Sequence, residues 1–154
     1  MKNSIPLLIL LLMCSCAVHQ KSGLFGVWKS NEAKTLNYIN SLDNIPEKSV
    51  AFLSDDFFGH LIVEYKNTEV RAYFDNCEDD YEDQFCIETV CKEMKEFEPY
   101  KILEETEQKF IISYFDELEG KIVEETLYRE DNCYYVNLKD SKYNLREYFC
   151  RTSN

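Results

Sequence analysis

The sequence predicts a mainly β protein, an eight-stranded antiparallel up-and-down barrel with a helix pair after the first strand. Three observations predict it. From His60 onward, short apolar runs alternate with period two, as half-buried strands require. The joins between these runs are short, which makes consecutive strands antiparallel neighbours. Aromatic residues make up 14% of the 154 positions and only four are glycine, a composition that fills a core and argues against disorder. A meander of about eight strands closes into a barrel whose interior fits side chains or one small ligand. An open sheet capped by the helix pair is the runner-up arrangement.

The elements follow in order. Leu24-Phe25-Gly26-Val27-Trp28-Lys29 is a compact aromatic strand signal. The pattern then turns helical: Ser30 or Asn31 can cap, Glu32 suits the first turn, and Ala33, Leu36, Ile39 and Leu42 recur on one face. Asn44-Ile45-Pro46 interrupts the run and restarts it. Pro46 fits a first helical position, Val50, Leu53 and Phe57 share a face, and Gly59 is placed to end the helix. Leu61, Val63 and Tyr65 then alternate, Lys66-Asn67-Thr68 turns, and Val70, Ala72 and Phe74 alternate back. An acidic insertion runs from Asp75 to Glu96. Its later part, Phe85 to Met94, reads equally as a helix or as an irregular strand. Five β segments complete the chain: Phe97–Glu105, Lys109–Phe115, Lys121–Arg129, Cys133–Leu138 and Tyr143–Cys150.

The N-terminus reads as an export signal. Lys2 supplies a positive start, and the apolar run from Ile5 to Met13 has the size of a signal core. It is too short to span a bilayer, which takes roughly 20 apolar residues. Met13-Cys14-Ser15-Cys16 resembles the lipobox of bacterial lipoproteins, with small Ser15 directly before the cysteine. The expected organisation is a signal peptide over 1–15, a lipidated tether over 16–23 beginning at Cys16, and one domain over 24–154. The resemblance implies more than one acyl chain on Cys16, enough for firm anchoring. It also implies the outer membrane, facing the periplasm, because Ala17 and Val18 follow without the Asp that commonly retains such proteins at the inner membrane. Ordinary cleavage after Ala17 is the alternative, and would give a secreted or soluble periplasmic protein.

Charge and cysteines bound the partners. The formal charge is −12, and removing residues 1–15 takes away Lys2 and no acid, giving −13. Such a chain is repelled by phosphate backbones, so nucleic acid is excluded, and it meets membrane through its anchor alone. Seven cysteines include Cys14 and Cys16, leaving Cys77, Cys86, Cys91, Cys133 and Cys150 in the domain. Export favours disulfides. If Lys139 opposes Asn144 across the last turn, Cys133 opposes Cys150 within bonding reach. One further pair is expected among Cys77, Cys86 and Cys91, joining Cys77 to one of the later two and leaving one cysteine over. Zinc spacings are absent. The acidic run from Asp75 to Asp83 is rich in oxygen ligands but lacks the glycine and spacing of a calcium loop, and reads as a solvated face or a docking surface for a basic protein. No metal and no cofactor is expected.

Gly26-Val27-Trp28 near the start of an exported eight-strand meander resembles the opening of the lipocalins, members of the calycin group. The resemblance implies that Trp28 closes one end of the barrel beneath an arginine near the last strand, either Arg146 or Arg151. The helix pair after the first strand departs from the family, which carries its helix near the C-terminus. Arg146-Glu147-Tyr148 has a second resemblance, to the Arg-x-Tyr pair with which fatty-acid-binding proteins grip a carboxylate. Against that, Leu145 and Phe149 make the better inward face, which turns Arg146 outward. Trp28, Arg146 and Tyr148 are therefore the candidate ligand contacts. Catalysis has little support. His60 is the only histidine of the folded segment and has no evident catalytic partner, while Glu104-Glu105 and Glu124-Glu125 follow from composition. The expected function is a non-enzymatic envelope lipoprotein that binds a small apolar or amphipathic ligand. The alternative is an acidic inhibitor- or immunity-type module acting on a basic protein.

Overall fold

The computed structural model describes residues 22–55, 57–75, 96–117, 119–139 and 141–152. The export signal, Cys16, Cys77, Cys86 and Cys91 lie outside these. The described chain runs β1 (Gly26–Ser30), α1 (Glu32–Asn40), α2 (Glu47–Leu53), β2 (Leu61–Tyr65), β3 (Glu69–Phe74), β4 (Glu98–Glu105), β5 (Lys109–Asp116), β6 (Lys121–Glu130), β7 (Cys133–Asn137) and β8 (Arg146–Arg151). All eight strands pair in sequence order, and β1 pairs with β8 to close the barrel. Every pairing is antiparallel, so the up-and-down barrel is the observed architecture and the open sheet is not.

Register follows from the alternation. In the β2–β3 hairpin Leu61, Val63 and Tyr65 face Phe74, Ala72 and Val70, so one apolar set lies on one side. A one-residue slip would turn that set to water. The β6–β7 turn has only Asp131 and Asn132 between the paired Glu130 and Cys133, and Asp131 adopts φ 55°, a conformation Asp tolerates better than most residues. Among the described residues the β3–β4 seam is the thinnest, with Glu69↔Pro99 and Val70↔Glu98 in register.

Two apolar clusters result. The first fills one end of the barrel around Leu24, Trp28, Phe110, Leu127, Tyr134 and Phe149. The second, around Ile39, Phe58 and Leu145, lies outside the barrel, where α1 and α2 cover the β7–β8 connection. α1 begins at Asn31, whose side chain accepts from the Lys34 amide, and docks through Thr35, whose hydroxyl accepts from the Tyr148 amide.

Four sequence expectations shift here. α2 ends at Leu53, and Phe58 (2% exposed) enters the second cluster, while Phe57 (54%) stays in solvent. Pro46 is the N-cap rather than the first helical residue, because its ψ of 138° is extended. Gly59 does not end the helix. It sits in the following connection at φ 97°, a conformation that favours glycine, and its amide donates to Ser30 Oγ. The last strand begins at Arg146 instead of Tyr143, since Tyr143 and Leu145 are drawn under the helices and Asn144 turns at φ 54°.

Cys133 and Cys150 are directly opposed and form a disulfide, as the register argument requires. The bond spans 17 residues of sequence, and a loop of that size gives about 3 kcal/mol of stabilisation. Replacing both cysteines by serine is expected to lower urea-unfolding stability by about 2–4 kcal/mol. An unchanged midpoint would show that the β7–β8 hairpin needs no staple.

Candidate functional site: the barrel cavity

Period two decides what reaches the interior. Phe110, Ile112 and Tyr114 of β5 face inward together, and so do Tyr134 and Val136 of β7. The same rule carries two acids inside. Glu125 lies on β6 between the buried Val123 and Leu127, and Glu147 lies on β8 two residues before the buried Phe149. Both border a cavity of about 380 Å³. Its walls are mostly apolar, formed by Leu61, Val63, Ala72, Ile112, Leu127 and Phe149. The tyrosines at positions 65, 114 and 134 share the lining. Glu96, Glu98 and Arg71 mark the mouth, beside the thin β3–β4 seam.

Each interior polar group is held. Ser30 Oγ accepts from the Gly59 amide at 2.9 Å, which directs its own hydrogen onto Glu147 Oε1 at 2.7 Å. Tyr114 donates to Glu125 Oε2 at 3.0 Å. The hydroxyls of Tyr65 and Tyr134 meet at 3.3 Å, and Tyr100 donates to the Lys66 carbonyl at 2.8 Å. Burial raises the Glu147 carboxyl above the ordinary range, against the pull of the Ser30 hydrogen bond. Burial also raises the phenols of Tyr65, Tyr114 and Tyr134, and Glu125 pushes each further up, so they stay neutral in physiological conditions. No Lys or Arg among the described residues forms an ion pair with Glu125 or Glu147.

The residues singled out from sequence lie elsewhere. Trp28 is 5% exposed and plugs the closed end, its Nε1 donating to the Leu24 carbonyl at 2.8 Å and its ring 5.0 Å from that of Tyr134. The arginine over it is Arg151, at 4.7 Å, which also donates to the Gly23 carbonyl. Gly26, at φ 138°, lies against the same guanidinium, where a Cβ would touch it at 3.5 Å. Arg146 and Tyr148 do share a face, but it is the outer one. The Arg146 guanidinium lies between the rings of Tyr38 on α1 and Tyr135 on β7, at 4.6 and 4.3 Å. Tyr148 donates to Glu130 and carries Lys34 over its ring. Neither borders the cavity, so the Arg-x-Tyr grip is not formed there; the pair fastens α1 to the barrel instead. Leu145, expected inward, packs in the outer cluster.

The sequence reading missed Glu125 and Glu147 as site residues. The signal that could have found them was present: an acid two positions from a residue assigned to the core shares its face. His60 pairs with Asp75 at 3.0 Å, and Lys29 meets the same carboxylate at 2.5 Å. Burial works to raise Asp75, yet these two partners hold it below its ordinary value. Among the described residues no group of His, Cys, Asp and Glu has the arrangement of a metal site.

Two outcomes follow from this geometry. A carboxyl raised on folding favours the folded state most at low pH and loses that contribution as pH rises through its folded value. Glu147→Gln keeps the Ser30 hydrogen bond without the charge. It should therefore raise the melting temperature of the ligand-free protein at pH 7 and leave it near wild type at pH 4. The reverse ordering would show that Glu147 is not strained by burial. Arg146→Ala should cost about 1–2 kcal/mol of stability by removing the guanidinium between two rings, read as a lower urea midpoint. Comparison with protein-family models, with curated proteins and with solved structures finds no match to this chain, so function is argued from the cavity itself.

Proposed function

We propose that the protein is a non-enzymatic binding protein that holds a small apolar or amphipathic molecule inside its barrel, at the bacterial envelope. The observation that carries this reading is the open cavity of about 380 Å³ within a closed eight-stranded barrel. Its volume falls at the lower end of the roughly 300–1,000 Å³ typical of small-molecule sites. The aromatic plug confines filling to one end, so apolar wall remains at the other. An interior wall of Val, Leu, Ile and Phe left open to solvent is costly unless something apolar covers it. The Gly26-Val27-Trp28 opening, with Arg151 over the indole, adds the lipocalin-like pattern in form.

The address rests on sequence. The lipobox-like Met13-Cys14-Ser15-Cys16 supports acylation of Cys16, and the tether over 16–23 would then hold the barrel close to the membrane surface. The outer membrane is the favoured membrane, since no Asp follows Cys16. A second reading draws on a different observation. The cross-strand pair Phe115 and Ile122 is 52% and 73% exposed on a strongly acidic chain, which suits docking onto a basic protein.

Native mass spectrometry of the protein after incubation with envelope extract should show a retained small molecule. Ala72→Phe, which places a ring in the cavity, should abolish that retention. Retention unaffected by Ala72→Phe, or no retained mass at all, would count against the barrel as the site. A salt-sensitive protein partner in place of a small molecule would favour the second reading. Cys16→Ser should release the protein from the membrane fraction and remove its acyl mass; a variant still acylated and membrane-bound would overturn the anchor.

A further inference from the structure

The chemistry of the cavity goes further than its shape. Apolar lining alone would suit any greasy ligand, and the Arg-x-Tyr resemblance would suit a carboxylate. The structure places the charges the other way round. Arg146 is outside, and the carboxylates of Glu125 and Glu147 are inside. Arg71, the one basic residue among the described residues of the lining, is already engaged by Glu64 through Nε and Nη2 at 2.8 and 2.6 Å. Two more acids, Glu96 and Glu98, stand at the mouth, so the lining carries four carboxylates against one guanidinium.

An interior carboxylate is expensive unless a cation or several donors satisfy it. Glu147 has one hydroxyl donor, Ser30, and Glu125 has one, Tyr114. Each carboxylate has capacity for further donors, and both border the cavity. The strands fix them there. Glu125 pairs with Ile112 across β5–β6 and Glu147 with Val136 across β7–β8, so the register holds both on the cavity-facing side of their strands. Tyr65, Tyr114 and Tyr134 add neutral phenol oxygens and π-electron density to the same wall. The formal charge of −12 and the two acids at the mouth draw a positively charged molecule toward this opening and repel an anionic one.

We propose that the cavity takes a small organic cation, a protonated amine or guanidinium on an apolar or aromatic body, with Glu125 and Glu147 as its counter-charges. The proposal rests on the reading of the barrel as a ligand site and names the class of ligand. The body lies against the apolar wall, and the charged head donates to the two carboxylates. This arrangement satisfies with one molecule both the uncovered apolar surface and the uncompensated acids.

The test uses three compounds that share one body and differ in the head group: phenylbutylamine, phenylbutanol and phenylbutyrate. Each is titrated calorimetrically into the purified protein. The amine is expected to bind about tenfold or more tightly than the alcohol, and the acid more weakly than the alcohol. Glu125→Gln and Glu147→Gln should each weaken the amine by roughly tenfold while changing the alcohol by no more than about threefold. Should one glutamine variant fail to fold, the other carries the same comparison. Equal binding of all three, tighter binding of the alcohol or acid, or an amine preference that survives both substitutions overturns the cation proposal and leaves the barrel as a binder of neutral or acidic ligands. Absence of heat for all three, with retention by native mass spectrometry also absent, overturns both readings together.

Discussion

The structure depends on the antiparallel contact between its first and last strands. β1 and β8 share three register pairs, Trp28↔Arg151, Lys29↔Cys150 and Ser30↔Phe149, and each ties in a different part of the molecule. The first is the plug: Arg151 covers the Trp28 indole, whose nitrogen is satisfied by Leu24. Through Cys150 the second connects to the disulfide with Cys133 and so to β7. At the third, Ser30 reaches Glu147 and the Gly59 amide, linking the barrel interior to the chain that leaves the helices. An unclosed sheet would leave β1 and β8 as edges with unpaired backbone groups, and the cavity would lose one wall.

Closure at this end is matched by thinness at another. Among the described residues β3 and β4 pair over two positions, whereas β5 and β6 pair over eight. The cavity mouth lies beside the thin seam, at Glu96, Glu98 and Arg71. Aromatic residues fill the end braced by β1, and the open volume is bordered by β2 to β8.

The two interior acids explain why the polar groups around them are arranged as they are. Ser30, itself held by the Gly59 amide, and Tyr114 each donate to one carboxylate oxygen, and three neutral tyrosines lie beside the acids without adding charge. Outside the barrel the opposite chemistry holds. Arg146 is clasped between Tyr38 and Tyr135, and Lys34 sits over Tyr148 and pairs with Glu130, so positive charge fixes the helix pair to the outer wall. Helices placed directly after β1 are tolerated because this clasp and the second apolar cluster give them a surface of their own.

The sequence by itself determined the strand order, the alternation of β2 and β3, the Cys133–Cys150 pairing and the burial of Trp28. These follow from alternation, short joins and residue spacing, which act between neighbours along the chain. Tertiary structure decided what local pattern leaves open. Arg151 rather than Arg146 covers the indole, because β8 starts only at Arg146 and its alternation sends Arg146 outward. Phe58 replaces Phe57 in the outer core because α2 stops short at Leu53. Glu125 and Glu147 look like two more acids in an acidic chain, and only barrel closure turns their face into an interior. Whether a strand face meets water or a cavity is set by the strands opposite it, and that information lies in no single segment of the chain.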